Sequence, residues 1–300
     1  MKTKELSILT GWGGPLGTGH MQRMAAFADH VNRHTSLRAF LVCDRAPDFL
    51  PPQFKELFSD TIRPGSGIII RDKRDSETLE MKELKAHARL IAVDDCGPGR
   101  DMADLAIDLL PNLKYSINTK ELFLYGYAFA DSVRQLDRRP VTKDIDYALY
   151  CGNNPSPHTV DFFLSLIPEH TCCALLAGNA SRLIIQGAEK PLRGSYAETL
   201  LSSNVLISHF GITLYEGSAA GCRLIAINPT DYHSRLCEIA KDDLALTNLG
   251  VLDAMDPGYA RNVIADASLK RMPDRMDTAA ILTIIDRGIE TFLSRINPLL

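Results

Sequence analysis

The sequence predicts an α/β protein made of two Rossmann-like domains whose parallel sheets face a cleft. Short apolar runs typical of buried strands alternate with amphipathic helical segments, and such alternation produces parallel sheets that bind ligands at the carboxyl ends of their strands. The alternation stops in a charged stretch at 131–144 and then restarts, and 300 residues suffice for two cores. We therefore place an N-terminal domain at 1–136 and a C-terminal domain, including a C-terminal helix, at 137–300.

The first domain begins with a strand in KELSILT and a helix in MQRMAAFADHV, where apolar residues recur at helical spacing. LRAFLVCD (37–44) predicts a second strand, RDSETLEMKELKAHA (74–88) an amphipathic helix, and LIAVDD (90–95) a further strand. The segments DLAIDLLPN and LFLYGYAF follow before the charged stretch, which we interpret as a linker.

The second domain repeats this pattern. IDYALYCGNNPSPH (145–158) predicts a strand that ends in a Gly/Asn/Pro turn, and TVDFFLSLI predicts the helix after it. Four apolar runs, CCALLAG, RLIIQGA, NVLISHFG and RLIAINP, predict short buried strands, and LYEGSAAGC predicts the helix that joins the last two. The segment 278–296 predicts a long amphipathic helix that either closes this domain or packs back across the linker.

Composition and charge exclude several classes of function. Hydrophobic residues make up 45% and charged residues 23%, as in ordinary soluble globular proteins. A net charge of −4 argues against nucleic acid as a partner, and we find no apolar run long enough to span a bilayer. The apolar stretch near the N-terminus is too short for a signal peptide. The seven cysteines are scattered without a CxxC pair, so we expect reduced thiols and a cytoplasmic location. The sequence does not specify an oligomeric state.

The loop LGTGHMQRM (16–24) places a histidine in a glycine-rich turn directly before a helix. Such a turn presents free backbone N–H groups and the positive end of a helix, which suit an anionic ligand, and glycines allow close approach. His20 is then either directed at the ligand or simply a residue of the first helical turn.

A second glycine turn, within LISHFGITLYEGSAAGC (206–222), carries Thr213 and, one helical turn later, Glu216. This spacing suits a nucleoside diphosphate, because the turn can hold the diphosphate while a carboxylate accepts both ribose hydroxyls. The same spacing suits a capping box in which Thr213 caps the helix and Glu216 bonds back to it. The residues of this segment alone leave both interpretations open.

Several segments occur in an order that resembles one enzyme family: TGHMQR, IAVDD with DLAIDLLPN, LFLYGYAF, CGNNP, and SHFGITLYE with AAGCRLIAIN. From about residue 5 to residue 250 the chain resembles the UDP-sugar hydrolases of pseudaminic acid biosynthesis and the related spore coat polysaccharide proteins, which are similar to bacterial glycosyltransferases of lipid-linked peptidoglycan synthesis. The resemblance implies a glycosyltransferase B fold, with the nucleotide on the second domain and the sugar facing the first. It implies hydrolysis of a UDP-linked amino sugar at its anomeric carbon, releasing UDP and free sugar for bacterial surface polysaccharide or nonulosonic acid biosynthesis.

The resemblance also assigns roles to individual residues. It places the family's general base on His20 and its ribose-binding glutamate on Glu216. The remaining nucleotide-binding positions fall on two turns: Gly211, Ile212 and Thr213, and Gly152, Asn153 and Asn154. The expected substrate contacts are Trp12, Gly17, Gly19, Arg23, Asp231 and His233, the last two at the aspartate and glutamine of the family's late DNQ motif.

The chain departs from the family pattern mainly in its first loop. Leu9 and Gly11 stand where an arginine and an aspartate are usual, and Trp12 and Pro15 fill out the loop. Because the sugar faces this loop in the family, the departure concerns the identity of the sugar. Trp12, the only tryptophan, can stack on a pyranose ring or serve in packing. Three further departures surround the nucleotide turns: Asn153, Phe210 and Arg223.

Two other functions stay open: a glycosyltransferase of the same fold, and a non-catalytic nucleotide-sugar-binding protein. The length favours the hydrolase, because transferases of this fold usually add an acceptor or membrane patch, and His20 argues against the non-catalytic protein.

We interpret Asp94 and Asp95 as turn caps rather than as a metal pair or catalytic carboxylates. We expect neither a metal nor a cofactor, because four histidines lack metal-ligand spacing: His158, His170, His209 and His233.

Overall fold

Contacts within the computed structural model divide the chain into two units, each built on one sheet. Unit 1 comprises Met1–Ala128 and Ile285–Leu300, and unit 2 comprises Phe129–Ile284. The structure describes residues 4–13, 17–114, 123–137, 139–152, 154–178, 181–192, 194–269 and 275–300. These units differ from the predicted division after residue 136, because the end of the last helix packs with the core of unit 1.

The sheet of unit 1 has six parallel strands in the order β3-β2-β1-β4-β5-β6. They are β1 (Glu5–Thr10), β2 (Arg38–Val42), β3 (Phe58–Ser59), β4 (Ile68–Asp72), β5 (Arg89–Val93) and β6 (Leu105–Ile107). Two helices belong to the same part of the chain, α1 (Gly19–His34) and α2 (Thr78–Lys85). The strand order reverses between β1 and β4, whose last residues, Thr10 and Asp72, lie opposite each other in register.

Helix α1 buries its apolar stripe in the core of unit 1, as its periodicity predicts. Met21, Met24 and Val31 are fully buried, in one cluster with the inward side chains of β1 and β4. Phe27 packs edge-to-face on Phe292 of helix α9 (Thr278–Ile296), with ring centroids 5.0 Å apart. The end of α9 is therefore part of this core. Burial of each of these side chains contributes roughly 1.5–3 kcal/mol to the stability of the fold.

The sheet of unit 2 has seven strands in the order β11-β10-β9-β8-β12-β13-β14. They are β8 (Ile145–Tyr150), β9 (Cys172–Leu176), β10 (Arg182–Ile185), β11 (Ala188–Pro191), β12 (Ser203–Ser208), β13 (Arg223–Asn228) and β14 (Thr247–Val251). Five of them are parallel, which confirms the prediction of two parallel α/β domains, but β10 and β11 form an antiparallel hairpin. RLIIQGA forms strand β10, as predicted, but β10 is antiparallel to β9 because the connection from Leu176 to Arg182 is too short for the crossover that parallel strands require.

The predicted linker at 131–144 is partly regular structure. Helix α3 (Tyr127–Gln135) occupies its first part, because Phe129, Ala130 and Val133 form a buried stripe under the charged residues. Strand β7 (Val141–Thr142) follows and pairs with β15 (Arg275–Met276). The other helices are α4 (Pro157–Ser165), α5 (Tyr196–Ser202), α6 (Ile212–Ala219), α7 (Asp231–Leu244) and α8 (Pro257–Leu269).

Two expectations from composition concern the whole chain. All seven cysteines are free thiols in the structure. Within the described ranges, none of the helices combines the length and apolar character needed to cross a lipid bilayer.

Candidate active site

Most of the predicted site residues follow strands at which the strand order of each sheet reverses. In unit 1 this point lies between β1 and β4, and the loop after β1 leads to His20. In unit 2 it lies between β8 and β12, which are followed by Gly152 and Gly211. Ligands of open α/β sheets bind outside the carboxyl ends of the strands at such reversals, so each unit has one candidate site.

His20 lies in the first turn of α1 and pairs with a carboxylate of the sheet. Its Nδ1 is 2.7 Å from Oδ1 of Asp72, the last residue of β4. Side chains alternate along a strand, so Asp72 shares the face of Ile70, which α1 covers. The Asp72 side chain is fully buried, whereas 16% of the His20 side chain is exposed. The pair is therefore open to a ligand only through the imidazole ring.

Arg23, one helical turn after His20, holds the same carboxylate from the other side. Its Nε donates to Asp72 Oδ2 at 2.7 Å, and its Nη2 donates to Asp72 Oδ1. Its Nη1 donates to Asp94 Oδ2 at 2.5 Å, and Asp94 in turn accepts the backbone N–H groups of residues 109–110. Arg23 was predicted to contact the sugar; in the structure its guanidinium is buried and bonded on both sides to carboxylates, an arrangement that favours positioning Asp72 over direct contact.

Burial and charge act in opposite directions on these groups. Burial alone would raise the pKa of Asp72, but Arg23 and His20 outweigh it and lower this pKa to about 2. Burial would lower the pKa of Arg23, and its two carboxylate partners more than offset this, so its pKa is raised. For Asp94 burial prevails over Arg23, and its pKa is raised. Asp72 is therefore a carboxylate at neutral pH.

The charge of Asp72 defines the tautomer of His20. An ionised carboxylate only accepts hydrogen bonds, so the neutral imidazole carries its proton on Nδ1 and its lone pair on Nε2. The Nη2 atom of Arg23 also lies 3.3 Å from Nδ1, but this is the longer contact and both groups would be donors. An imidazole held in this way presents Nε2 as a proton acceptor.

The other predicted residues of this loop are placed as follows. Gly17 has φ +63°, a conformation that favours glycine, and its carbonyl accepts the N–H of Gly13 at 2.7 Å. Gly19 is the first residue of α1. The indole N–H of Trp12 donates to the carbonyl of Arg45 at 2.8 Å, and its predicted contact with a sugar stays a prediction.

In unit 2, helix α6 begins directly after Gly211, with Ile212 as its first residue. No described side chain caps this helix, so the capping-box interpretation does not hold. Thr213 and Glu216 instead accept hydrogen bonds from the hydroxyl of Tyr196, at 3.3 Å and 2.6 Å. Burial and Glu216 raise the pKa of Tyr196 well above its ordinary value, so it is a donor. Over the part of the chain that the structure describes, the positive end of α6 therefore has no side-chain cap, the arrangement that binds phosphate.

Aromatic side chains border these turns. His209, at the end of β12, stacks on Tyr150 of β8 with centroids 5.6 Å apart, and His233 meets it edge-on at 6.4 Å. Burial, with a smaller effect of His233, lowers the pKa of His209 to about 4, so it is neutral at neutral pH. Nδ1 of His233 lies 2.7 Å from the hydroxyl of Thr230. Although their sequence positions are dispersed, these three rings form one aromatic cluster, in which Tyr150 and His209 are stacked.

The remaining predicted residues of unit 2 lie on the loop after β8 and at the start of α7. Gly152 has φ +107°, and a Cβ there would lie 3.9 Å from the His209 ring. Asn154 and Asp231 are exposed, and Asn153 lies outside the described residues. Among the His, Cys, Asp and Glu residues of the described ranges, no group of three or more could hold a metal ion.

Sequence reasoning missed Asp72 and Tyr196, and it interpreted Asp94 only in part. The apolar run at 68–70 followed by Arg71 and Asp72 was the available signal for a buried strand ending in a carboxylate. Asp94 does cap a backbone turn, as expected, but it also binds Arg23. The capping role of Asp95 is confirmed, because its carboxylate accepts the backbone N–H groups of Ser76 and Gly97, each at 2.9 Å.

No protein-family model matches this chain, and neither does any curated protein sequence. Several solved structures share its fold over nearly their whole length. UGT89C1 of Arabidopsis thaliana, complexed with UDP, has a TM-score of 0.56 at 10% identity, covering 99% of this chain and 100% of that one. The spinosyn rhamnosyltransferase SpnG, complexed with thymidine diphosphate, has a TM-score of 0.56 at 10% identity, covering 98% and 100%. A Listeria monocytogenes protein described as a UDP-N-acetylglucosamine 2-epimerase has a TM-score of 0.53 at 12% identity, covering 99% and 98%. The protein therefore has the glycosyltransferase B fold, and at these identities the likeness establishes the fold alone.

Proposed function

We propose that the protein hydrolyses a nucleotide sugar at its anomeric carbon, releasing the nucleoside diphosphate and the free sugar. The observation that carries this proposal is the pairing of His20 with the buried Asp72 where the sheet of unit 1 reverses its order. A histidine oriented by a carboxylate through Nδ1 is the arrangement that activates a hydroxyl or water nucleophile. The sequence resemblance to UDP-sugar hydrolases supports water as that nucleophile and an amino sugar as the group released.

In the proposed reaction, Nε2 of His20 takes a proton from water as the water oxygen bonds to the anomeric carbon. The bond from that carbon to the diphosphate oxygen breaks, and the electron pair leaves with the diphosphate. Asp72 keeps the ring in the required tautomer and balances the positive charge that develops on it. Arg23 is a positioning residue, because it fixes Asp72 without reaching the substrate.

Unit 2 supplies the proposed nucleotide site. The uncapped N-terminus of α6, after Gly211, suits the diphosphate, and its positive end stabilises the negative charge that forms on departure. Glu216, oriented by Tyr196, is the proposed acceptor for the ribose hydroxyls. The His209 ring surface offers a face for a base. UDP is the proposed nucleotide because UGT89C1 was solved with UDP and the resembling hydrolases act on UDP-sugars.

Release of UDP from a panel of UDP-amino sugars, without an added acceptor, tests this proposal. We expect turnover by the wild type and a decrease of about 10²–10⁴-fold in His20→Asn, the typical contribution of a general base. Affinity for UDP, measured by calorimetry, should stay nearly unchanged in this variant. His34→Asn is the matched control, because His34 lies exposed at the other end of α1. Full activity in His20→Asn would refute the assigned base.

A glycosyltransferase is the second candidate function, because SpnG, a rhamnosyltransferase, shares the fold over almost the whole chain. The same His20–Asp72 pair would then deprotonate an acceptor hydroxyl in place of water. UDP release that requires an added alcohol or sugar acceptor would favour this function over hydrolysis. If no nucleotide is released under either condition from UDP-, CMP-, GDP- or dTDP-sugars, the proposal that the protein is an enzyme is refuted.

A further inference from the structure

An arginine lies stacked on the single tryptophan in the loops of unit 1. The guanidinium carbon of Arg45 is 4.4 Å from the centroid of the Trp12 ring, and the Trp12 indole N–H donates to the Arg45 carbonyl. Phe49 packs edge-on against the indole, with centroids 5.5 Å apart. The hydrogen bond and the Phe49 contact fix the indole, and the face of the indole holds the guanidinium by a cation–π contact.

The N–H donors of Arg45 are not used by the described part of the chain. The side chain is exposed, and none of the described carboxylates, including the nearby Asp44 and Asp48, lies within ion-pair distance of it. The other buried or stacked arginines of this edge differ, since Arg23 and Arg71 are each bound by carboxylates. A planar cation that is fixed in place and has no acidic partner matches the geometry of a ligand oxyanion.

This arginine lies at the same edge of the sheet as the proposed base. Trp12 follows β1 and Arg45 follows β2, the neighbouring strand. The bond from the Gly13 N–H to the Gly17 carbonyl closes the loop between Trp12 and His20. On the other side of β1, Lys73 directly follows Asp72 and adds a second positive charge.

We propose that Arg45, held by Trp12, binds a carboxylate of the sugar, so that the amino sugar of the proposed function is also a sugar acid. This inference rests on the proposed function, because a base that acts at the anomeric carbon brings the sugar, rather than the diphosphate, to the loops of unit 1. It also gives Trp12 the role of orienting Arg45, in place of direct stacking on a pyranose ring.

Fluorescence of the only tryptophan tests this inference without a nucleotide. D-glucuronate and D-glucose are matched probes, because they differ only in a carboxylate or an alcohol at carbon 6, and sodium chloride equalises the ionic strength. We expect saturable quenching or a shift by glucuronate, with an affinity roughly five- to tenfold higher than for glucose. Arg45→Gln should reduce the glucuronate affinity to that of glucose, and Arg45→Lys should retain part of the difference. Arg38→Gln is the matched control, because Arg38 is exposed and lies over Phe40 at the opposite end of β2.

Three results would overturn the inference: equal affinities for the two sugars, no effect of Arg45→Gln, or no glucuronate binding up to its solubility limit. Saturation-transfer NMR on the same pair checks the last result where the indole emission is insensitive. Binding of UDP and of pyrophosphate is measured separately. If they bind with an affinity that falls in Arg45→Gln, then Arg45 holds the diphosphate and not a sugar acid. Loss of UDP release in every assay would refute the proposed function but would leave the sugar comparison intact.

Discussion

Asp72→Asn separates the orienting role of this carboxylate from the general effect of breaking a buried ion pair. Asp72 is fully buried and accepts hydrogen bonds from His20 and twice from Arg23. Asparagine keeps the shape but removes the charge, and its amide group points donors at groups that also donate. Breaking a buried pair in this way costs about 3–5 kcal/mol of the free energy of unfolding, which a domain of ordinary stability survives. Because His20 loses the partner that defines its tautomer, turnover should also fall by about 10²–10⁴-fold.

Asp108→Asn supplies the comparison that this prediction needs. Asp108 is also buried in unit 1 and accepts two hydrogen bonds from Arg100, but it does not contact His20. Urea unfolding should show similar destabilisation in both variants, whereas UDP release should fall by orders of magnitude only in Asp72→Asn. Combining Asp72→Asn with His20→Asn should lower turnover little further, because the two residues act as a unit. Equal turnover in the two aspartate variants, or wild-type turnover in Asp72→Asn, would refute the orienting role.

Three further predictions address binding and stability. Glu216→Ala should weaken UDP binding by about ten- to a hundredfold in calorimetry, and Tyr196→Phe should weaken it less, because that change removes only the orienting hydroxyl. Unchanged affinity in Glu216→Ala would show that the ribose contact is misassigned. The pKa of Asp72 in the folded protein, about 2, lies below its ordinary value of 3.8, so its charge stabilises the fold fully above pH ~4, and about 2–3 kcal/mol of this stabilisation is lost as the pH falls towards 2. Urea unfolding at several pH values should show this loss of stability in the wild type and not in Asp72→Asn. Lys143→Met should lower the free energy of unfolding by about 1–3 kcal/mol, because the Lys143 ammonium donates to the carbonyls of Ser203 and Ala220 at 2.5 Å and 2.9 Å. An unchanged melting temperature would contradict this prediction.

The strands and helices with a clear period were predictable, and those without one were not. Helix α1 and helix α9 follow from their apolar spacing, and the ends of α9 agree with the predicted 278–296. The five-residue strand β4 was missed, although α2 follows it, because its apolar run covers only residues 68–70 and is followed at once by Arg71 and Asp72. The apolar pattern of RLIIQGA indicates a strand but not its direction, which follows from the short connection between β9 and β10.

The candidate site shows a similar division. His20 and Glu216 belong to loops with local signals, a glycine turn followed by a helix, so the sequence singles them out. Their partners, Asp72 and Tyr196, come from distant segments that reach them only through the strand order and the packing of α5. A contact between residues that are far apart in sequence leaves no periodic signal, so the sequence of one chain does not predict it.

Helix α9 has a consequence for the order in which the protein is made. The core of unit 1 needs Phe292, which packs on Phe27, together with the buried Ile289 and Ile296. During synthesis, the strands of unit 1 leave the ribosome long before this helix does, and the whole of unit 2 is made in between. Unit 2 can therefore complete its own sheet first, and unit 1, although it comes first in the chain, is the last to close its core.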